Sequence, residues 1–365
     1  MRHQATGLIY GPCQHHLDHI APLCTLLNIP LITTDHNLHL TAKEFYPTLV
    51  IFHIDELELS AHLAEHYKVI FSCMPAVMLS KLLFSVRHLF NKHLLSIWCP
   101  HGNSDKIWDI TFSSALKEEK YVLVYGEKMR DLFRDQGIFN DAVQMISVGN
   151  YRQRFYSNVK QFYIDLYKTK IASQFTEQKK IILYAPTWSD GIEASTFFDA
   201  CPTLIDDLPS HYNLIIKFHP NTKIQFMPQL ERLIATYEHH PSVVFLDDFP
   251  PIYPILDQTA VYIGDRSSIG YDFLSFNRPM LFIGPKRPHP MQRCGPSIPL
   301  ESLSEIYAIL EEHLNQDSSA YEQARKDLYA YTFDPIEEEK ALGQLIHQTS
   351  EDYFSNLSDP LLGDD

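Results

Sequence analysis

The sequence predicts an α/β protein built from two Rossmann-like, doubly wound domains, and three observations carry that expectation. Short apolar runs alternate with helical patterns of roughly 10–15 residues, the signature of βαβ units on a parallel sheet. The alternation stops in a polar, Tyr- and Lys-rich stretch at 151–179 and then resumes. A length of 365 residues fits two domains at about 150 residues each. The expected division is an N-terminal domain at 1–150, a helical linker at 151–179, a C-terminal domain at 180–335, and a closing helix with an acidic tail at 336–365.

Taken in order, the first domain opens with a strand at 7–10. A helix at 16–27 follows, with Leu17, Ile20, Ala21, Leu23, Cys24 and Leu27 at helical spacing. Further strands are expected at 30–33, 49–54, 69–73, 94–99, 121–125 and 145–148, with helices at 56–67, 77–90 and 127–136. In the second domain the strands fall at 181–184, 213–218, 243–246, 260–263 and 279–283. Helical patterns at 303–314 and 337–354 close the chain. Crossovers between parallel strands should be right-handed.

Composition narrows the function. Thirty Lys+Arg against 45 Asp+Glu leave a formal charge of −15, which argues against a dedicated nucleic-acid binder. The 13 glycines are about half the usual share, and no G-x-G-x-x-G or P-loop occurs. Six dispersed cysteines without a C-x-x-C pair read as reduced thiols, so the chain is expected in the cytoplasm. The N-terminus lacks an apolar core of signal-peptide length, and no run of about 18 apolar residues occurs. Residues 75–90, interrupted by Ser80, Lys81, Ser85, Arg87 and His88, read as an amphipathic or core helix. This segment leaves peripheral contact with the inner face of a membrane open.

Ligands of doubly wound sheets bind outside the carboxyl ends of the strands, and two such domains imply a cleft between them. Five strand exits carry phosphate-binding or proton-transferring residues. They are Pro100-His101-Gly102-Asn103-Ser104-Asp105-Lys106, Gly149-Asn150-Tyr151-Arg152, Ala185-Pro186-Thr187-Trp188, Lys217-Phe218-His219-Pro220, and the run from Gly264 to Asp272. Ser267 and Ser268 are expected at the N-terminus of a helix reaching about Phe276, where free N–H groups favour an anion. The alternative is that they only cap it. Pro220 likewise either ends a strand or belongs to a binding segment.

The order of these segments resembles the CDP-glycerol glycerophosphotransferases that build teichoic-acid polymers. The family's Y-A-P-T-W, K-x-H-P and D-x-S-S-x-x-x-D blocks correspond to Tyr184-Ala185-Pro186-Thr187-Trp188, Lys217-Phe218-His219-Pro220 and Asp265-Arg266-Ser267-Ser268-Ile269-Gly270-Tyr271-Asp272. Its H-G-T-x-x-K block corresponds to His101 through Lys106, and its G-x-P-R-x-D block is kept in part as Gly149 and Arg152. The likeness spans roughly residues 95 to 290. Departures stand at Asn103, Arg154, Ser189 and Arg266, where the family has Thr, an acid, a basic residue and Tyr.

The resemblance implies a GT-B-type pair of domains facing a central cleft. It implies a transferase that moves glycerol phosphate from CDP-glycerol, or another nucleotide-diphosphate donor, to an acceptor hydroxyl and releases CMP. The acceptor would be lipid-linked or polymeric, and the donor is a substrate, so no cofactor and no metal is expected. His101 is the candidate base, and His219 shares the catalytic assignment. Lys217, Ser267 and Ser268 are expected to hold the diphosphate with His219. Gly102, Lys106, Arg152, Thr187 and Asp265 complete the donor site, and Asp272 would orient donor hydroxyls or His219. A nucleotide-sugar glycosyltransferase and a non-catalytic nucleotide-binding relative are the alternatives.

Three other patterns compete. His62-Leu63-Ala64-Glu65-His66 matches the H-x-x-E-H metal pattern, but its surroundings read as an exposed helix. His15, His16 and His19 form a second metal-like cluster, read instead as a polar helix entry facing the cleft. Ser267 lacks the G-x-S-x-G elbow of a hydrolase.

Overall fold

The computed structural model describes residues 4–103, 115–138, 143–189, 195–284, 289–316, 319–335 and 339–357. The chain divides into two compact units. One holds the chain up to His101, the stretch ending at Phe155 and the segment from Phe333 onward; the other holds Tyr156–Thr332 with the short piece that begins at Gly102.

The first unit is a seven-stranded sheet of β1 (Ala5–Ile9), β2 (Leu31–Thr33), β3 (Ile51–His53), β4 (Val69–Ser72), β5 (Leu95–Trp98), β6 (Tyr121–Val124) and β7 (Gln144–Ser147). All pairings are parallel, in the order β3-β2-β1-β4-β5-β6-β7. Every residue of β4 and β6 is buried, which is why these strands read as unbroken apolar runs rather than alternating ones. Helices α1 (Gln14–Leu27), α2 (His36–Phe45), α3 (Glu56–His66), α4 (Ser80–Phe90) and α5 (Glu127–Asp135) connect them. Asn28 and Asn91, both left-handed, close α1 and α4.

The second unit is a six-stranded parallel sheet of β8 (Lys180–Tyr184), β9 (Tyr212–Ile216), β10 (Val243–Phe245), β11 (Thr259–Gly264), β12 (Met280–Ile283) and β13 (Ser297–Ile298), in the order β10-β9-β8-β11-β12-β13. Strand order therefore reverses between β1 and β4 in one unit and between β8 and β11 in the other. Both are doubly wound α/β sheets, a class whose ligands bind at such reversals.

The expected boundaries shift for identifiable reasons. The stretch at 151–179 is helical, comprising α6 (Tyr151–Asn158), α7 (Lys160–Lys170) and a 3-10 turn at Ala172–Gln174. The unit boundary falls inside α6 rather than around it. Phe155 packs on Tyr46 of the first unit (ring centroids 5.7 Å), while the Tyr156 hydroxyl donates to Asp257 of the second at 2.9 Å. At the other end the chain returns to the first unit at Phe333. Arg130 grips the Asp334 carboxylate bidentately at 2.8 and 2.9 Å, and the Asp334 N–H donates to the Tyr125 carbonyl at 2.8 Å. The acidic tail lies outside the described residues.

Candidate active site

In the second unit the reversal point is built by the exits of β8 and β11. The Asp265 carboxylate accepts the Thr187 N–H at 2.7 Å, and the Tyr262 hydroxyl donates to the Ala185 carbonyl at 3.1 Å, so the two exits are tied together. Gly264 permits this close approach, since a Cβ there would lie 2.2 Å from the Tyr262 hydroxyl. The Ser267 side chain hydrogen-bonds the same hydroxyl. Asp265 and Ser267, expected at the diphosphate, are therefore both buried and engaged by the scaffold. Asp272 is also buried, and its carboxylate accepts from the Tyr253 hydroxyl at 3.1 Å.

Ser268 remains half-buried at the crevice. Gly102 lies against it: a Cβ at Gly102 would stand 3.1 Å from both Cβ and Oγ of Ser268, and its φ of +120° suits glycine. The expected helix is short, α-helical only over Ser268–Phe273 and 3-10 from there to Phe276. Any anion here would depend on side chains and first-turn N–H groups more than on a macrodipole.

The exit of β9 carries Lys217 and His219. Pro220 does not end the strand; it opens the helix Pro220–Tyr237, a position that proline favours. His219 caps that helix, its Nδ1 accepting the Asn221 N–H at 3.1 Å. A neutral imidazole with Nδ1 occupied as acceptor carries its proton on Nε2, which makes His219 a donor. Its ring lies 5.8 Å from Trp188, so the Y-A-P-T-W and K-x-H-P blocks meet. The Lys217 ammonium reaches the Phe249 carbonyl at 3.4 Å.

In the first unit His101 follows β5. Around it stand His15, His16 and His19 from the start of α1, with ring centroids 5.3, 5.2 and 6.4 Å away. The His101 ring reaches solvent, yet the protein packed round it and the facing His15 push its imidazole down to about 4. Burial, with His101 and His15 nearby, pushes His16 to about 2. Burial, with Arg152 nearby, holds His19 well below the usual range.

Arg152, expected as a phosphate ligand, is buried and turned to α1. Its Nε donates to the Asp18 carbonyl at 3.0 Å and its guanidinium pairs with the Asp18 carboxylate. The cause lies in the sequence. Pro22 sits inside α1 and has no N–H to give to the carbonyl four residues back, so that of Asp18 is left to Arg152. Proline within a helical run was the available signal for this contact. Lys106 lies outside the described residues. Among the described residues no three His, Cys, Asp or Glu side chains converge as a metal site, and no helix is long and apolar enough to cross a membrane. The His62 and His66 rings lie 4.5 Å apart on α3, tilted by 46°.

Comparison with known proteins identifies the family and the fold. The family described as CDP-Glycerol:Poly(glycerophosphate) glycerophosphotransferase matches residues 102–287, just over half the chain. A curated relative, the teichoic acid glycerol-phosphate primase of Bacillus subtilis (strain 168), is 24% identical over 230 residues, covering 56% of this chain and 55% of that protein. The chain thus spans about half the length of that relative. Among solved structures, the wall teichoic acid polymerase TagF aligns with a TM-score of 0.65 at 15% identity, over 96% of this chain and 90% of that one. Anabaena HepE in complex with UDP and glucose aligns at 0.56 with 12% identity, over 95% and 99%. At these identities the structural likenesses speak for the fold, a GT-B-like α/β architecture.

Proposed function

Since the chain belongs to the CDP-glycerol:poly(glycerophosphate) glycerophosphotransferase family, we propose that it transfers glycerol phosphate from CDP-glycerol to an acceptor hydroxyl. The observation that carries this reading is the gathering of family blocks at one reversal point, with His219 held as an Nε2–H donor beside Trp188 and Lys217 on the same strand exit. A diphosphate carries its charge on oxygens, and a fixed N–H donor with an ammonium suits them.

In this reaction the acceptor oxygen attacks the phosphorus that bears glycerol. A new P–O bond forms, the bridging P–O bond breaks, and CMP leaves with that electron pair. His101, neutral at pH 7, takes the acceptor proton. Lys217, His219 and Ser268 stabilise charge on the diphosphate and on departing CMP, with Thr187 at the same crevice. Asp265, Ser267, Asp272 and Arg152 are assigned to holding these groups in place.

The test is product analysis with CDP-glycerol and a polyol-phosphate acceptor. CMP release with a new phosphodiester is expected. His101→Ala should lower kcat about 10²- to 10⁴-fold with donor affinity kept. Lys217→Ala should weaken donor binding and turnover together. Nucleoside diphosphate release from a sugar donor would indicate a glycosyltransferase instead, and donor binding without product a non-catalytic relative.

The partner surface is α4. No Asp or Glu occurs between Glu65 and Asp105, in a chain of charge −15, while Lys81, Arg87 and Lys92 are exposed there. Met78, Phe84 and Leu89 stand 64%, 62% and 73% exposed on the same segment. Apolar rings beside cations and no acids suit an anionic lipid surface. A nucleotide donor and six free thiols support the reading of that surface as cytoplasmic.

A further inference from the structure

The histidines of α1 and Tyr125 lie outside the family blocks, yet they form a connected chain beneath His101. The Tyr125 hydroxyl donates to the Pro100 carbonyl at 3.0 Å and lies 2.9 Å from His19 Nδ1. A carbonyl can only accept, so the single phenolic proton is spent on Pro100, and the Tyr125 oxygen must accept from His19 Nδ1–H. The tautomer of His19 follows: its proton is on Nδ1 and its lone pair on Nε2.

His19 is itself anchored. The Tyr151 hydroxyl donates to the His19 carbonyl at 3.0 Å, and the Tyr125 and Tyr151 rings stack at 5.8 Å with 6° between planes. One residue earlier, Asp18 is held by Arg152 through its carbonyl and its carboxylate. The start of α1 is thus fixed to α6, and His19 projects from a rigid mount.

The peptide this chain grips needs gripping. Pro100 precedes His101, and Gly102 follows it with φ +120°, a conformation only glycine adopts freely, so the backbone can pivot on that side. The His15 and His16 rings border the His101 imidazole, which leaves the Pro100 carbonyl as the point where its backbone is held.

We infer that His19 and Tyr125 are positioning residues for His101: the chain His19 Nδ1–H to Tyr125 hydroxyl to Pro100 carbonyl holds the peptide from which His101 projects. The inference rests on the reading of His101 as the base. A base must meet the acceptor proton within hydrogen-bond reach, and a displacement of about 1 Å can cost on the order of 10²-fold in rate. His16 and His19 are buried, and Arg152 is paired with Asp18, so among the described residues His15 is the exposed imidazole beside His101.

The experiment compares the full chain with Tyr125→Phe, His19→Leu and His19→Asn, reading kcat, donor KM, melting temperature and the His101 imidazole resonances by NMR. Tyr125→Phe removes the hydrogen bonds to Pro100 and His19 and little volume. It should lower kcat by about 10- to 100-fold with donor KM unchanged, and should shift or broaden the His101 signals. His19→Leu should do likewise, whereas His19→Asn, whose amide N–H can stand in for Nδ1–H, should restore most of the rate. Wild-type His101 signals and turnover in Tyr125→Phe would overturn the inference, as would equal losses in His19→Asn and His19→Leu. Should His101→Ala keep full turnover, the base assignment falls, and displaced His101 signals in Tyr125→Phe would still report the positioning.

Discussion

Ser267 and Ser268 are neighbours in one family block, and the proposed function gives them opposite jobs. Ser268 is half-buried at the crevice beside Gly102, whereas Ser267 is buried and bonded to the Tyr262 hydroxyl. Ser268→Ala should therefore remove a hydrogen bond to a charged phosphate, worth about 1.5–3 kcal/mol. At about 1.4 kcal/mol per decade this is roughly a 10- to 150-fold weaker donor Kd, with melting unchanged. Ser267→Ala instead strands the acceptor side of Tyr262, whose own proton stays on the Ala185 carbonyl. That cost, about 1–3 kcal/mol, falls on stability. At about 2–4 °C per kcal/mol it lowers the melting temperature by roughly 2–10 °C, with donor affinity nearly kept. Calorimetric titration of CDP-glycerol and thermal melts of both variants decide the matter. Wild-type affinity in Ser268→Ala, or weakened binding without a stability loss in Ser267→Ala, would refute the division.

Two further predictions concern pH and membranes. His16 and His19 are neutral in the fold and protonate near 6.5 when unfolded, so their contribution is present above that pH and is lost as pH falls below it, by about 2 kcal/mol each at pH 5; melting between pH 7.5 and 5.5 should show this, and His16→Asn/His19→Asn should flatten it. The triple change Lys81→Gln/Arg87→Gln/Lys92→Gln should cut sedimentation with anionic vesicles by about 100-fold in partition, at roughly 1 kcal/mol per cation, and unchanged partition to anionic vesicles would discount α4.

The sheets were legible because parallel strands buried on both faces appear as short, unbroken apolar runs. Runs such as 69–73 and 260–263 needed only their ends trimmed or extended by a residue or so. Elements held by polar contacts were not. α2 has few apolar positions and owes its start to Asp35, whose carboxylate accepts the Leu38 N–H at 2.8 Å. The strand β13 has two residues. Helix Ser319–Thr332 is polar over most of its length and is held by Arg325, which donates to the Asn277 side chain and the Cys294 carbonyl. Unit boundaries were also hidden, because a break in composition marks exposed chain. What decides membership is pairing across long sequence separation, such as Arg130 with Asp334.

The site shows a second limit of the same kind. A motif tells which residues accompany a chemistry and not which of them touch the substrate. Within two family blocks, Asp265, Ser267 and Asp272 hold Thr187 N–H, Tyr262 and Tyr253, and Arg152 holds Asp18. What remains at the crevice of the second unit is Thr187, Lys217, His219 and Ser268, one from each of three strand exits and a second from β9. Burial separates the two sets: the first are under a tenth exposed and bonded within the protein, while Thr187, Lys217, His219 and Ser268 are half-buried at strand ends, where ligands of doubly wound sheets bind.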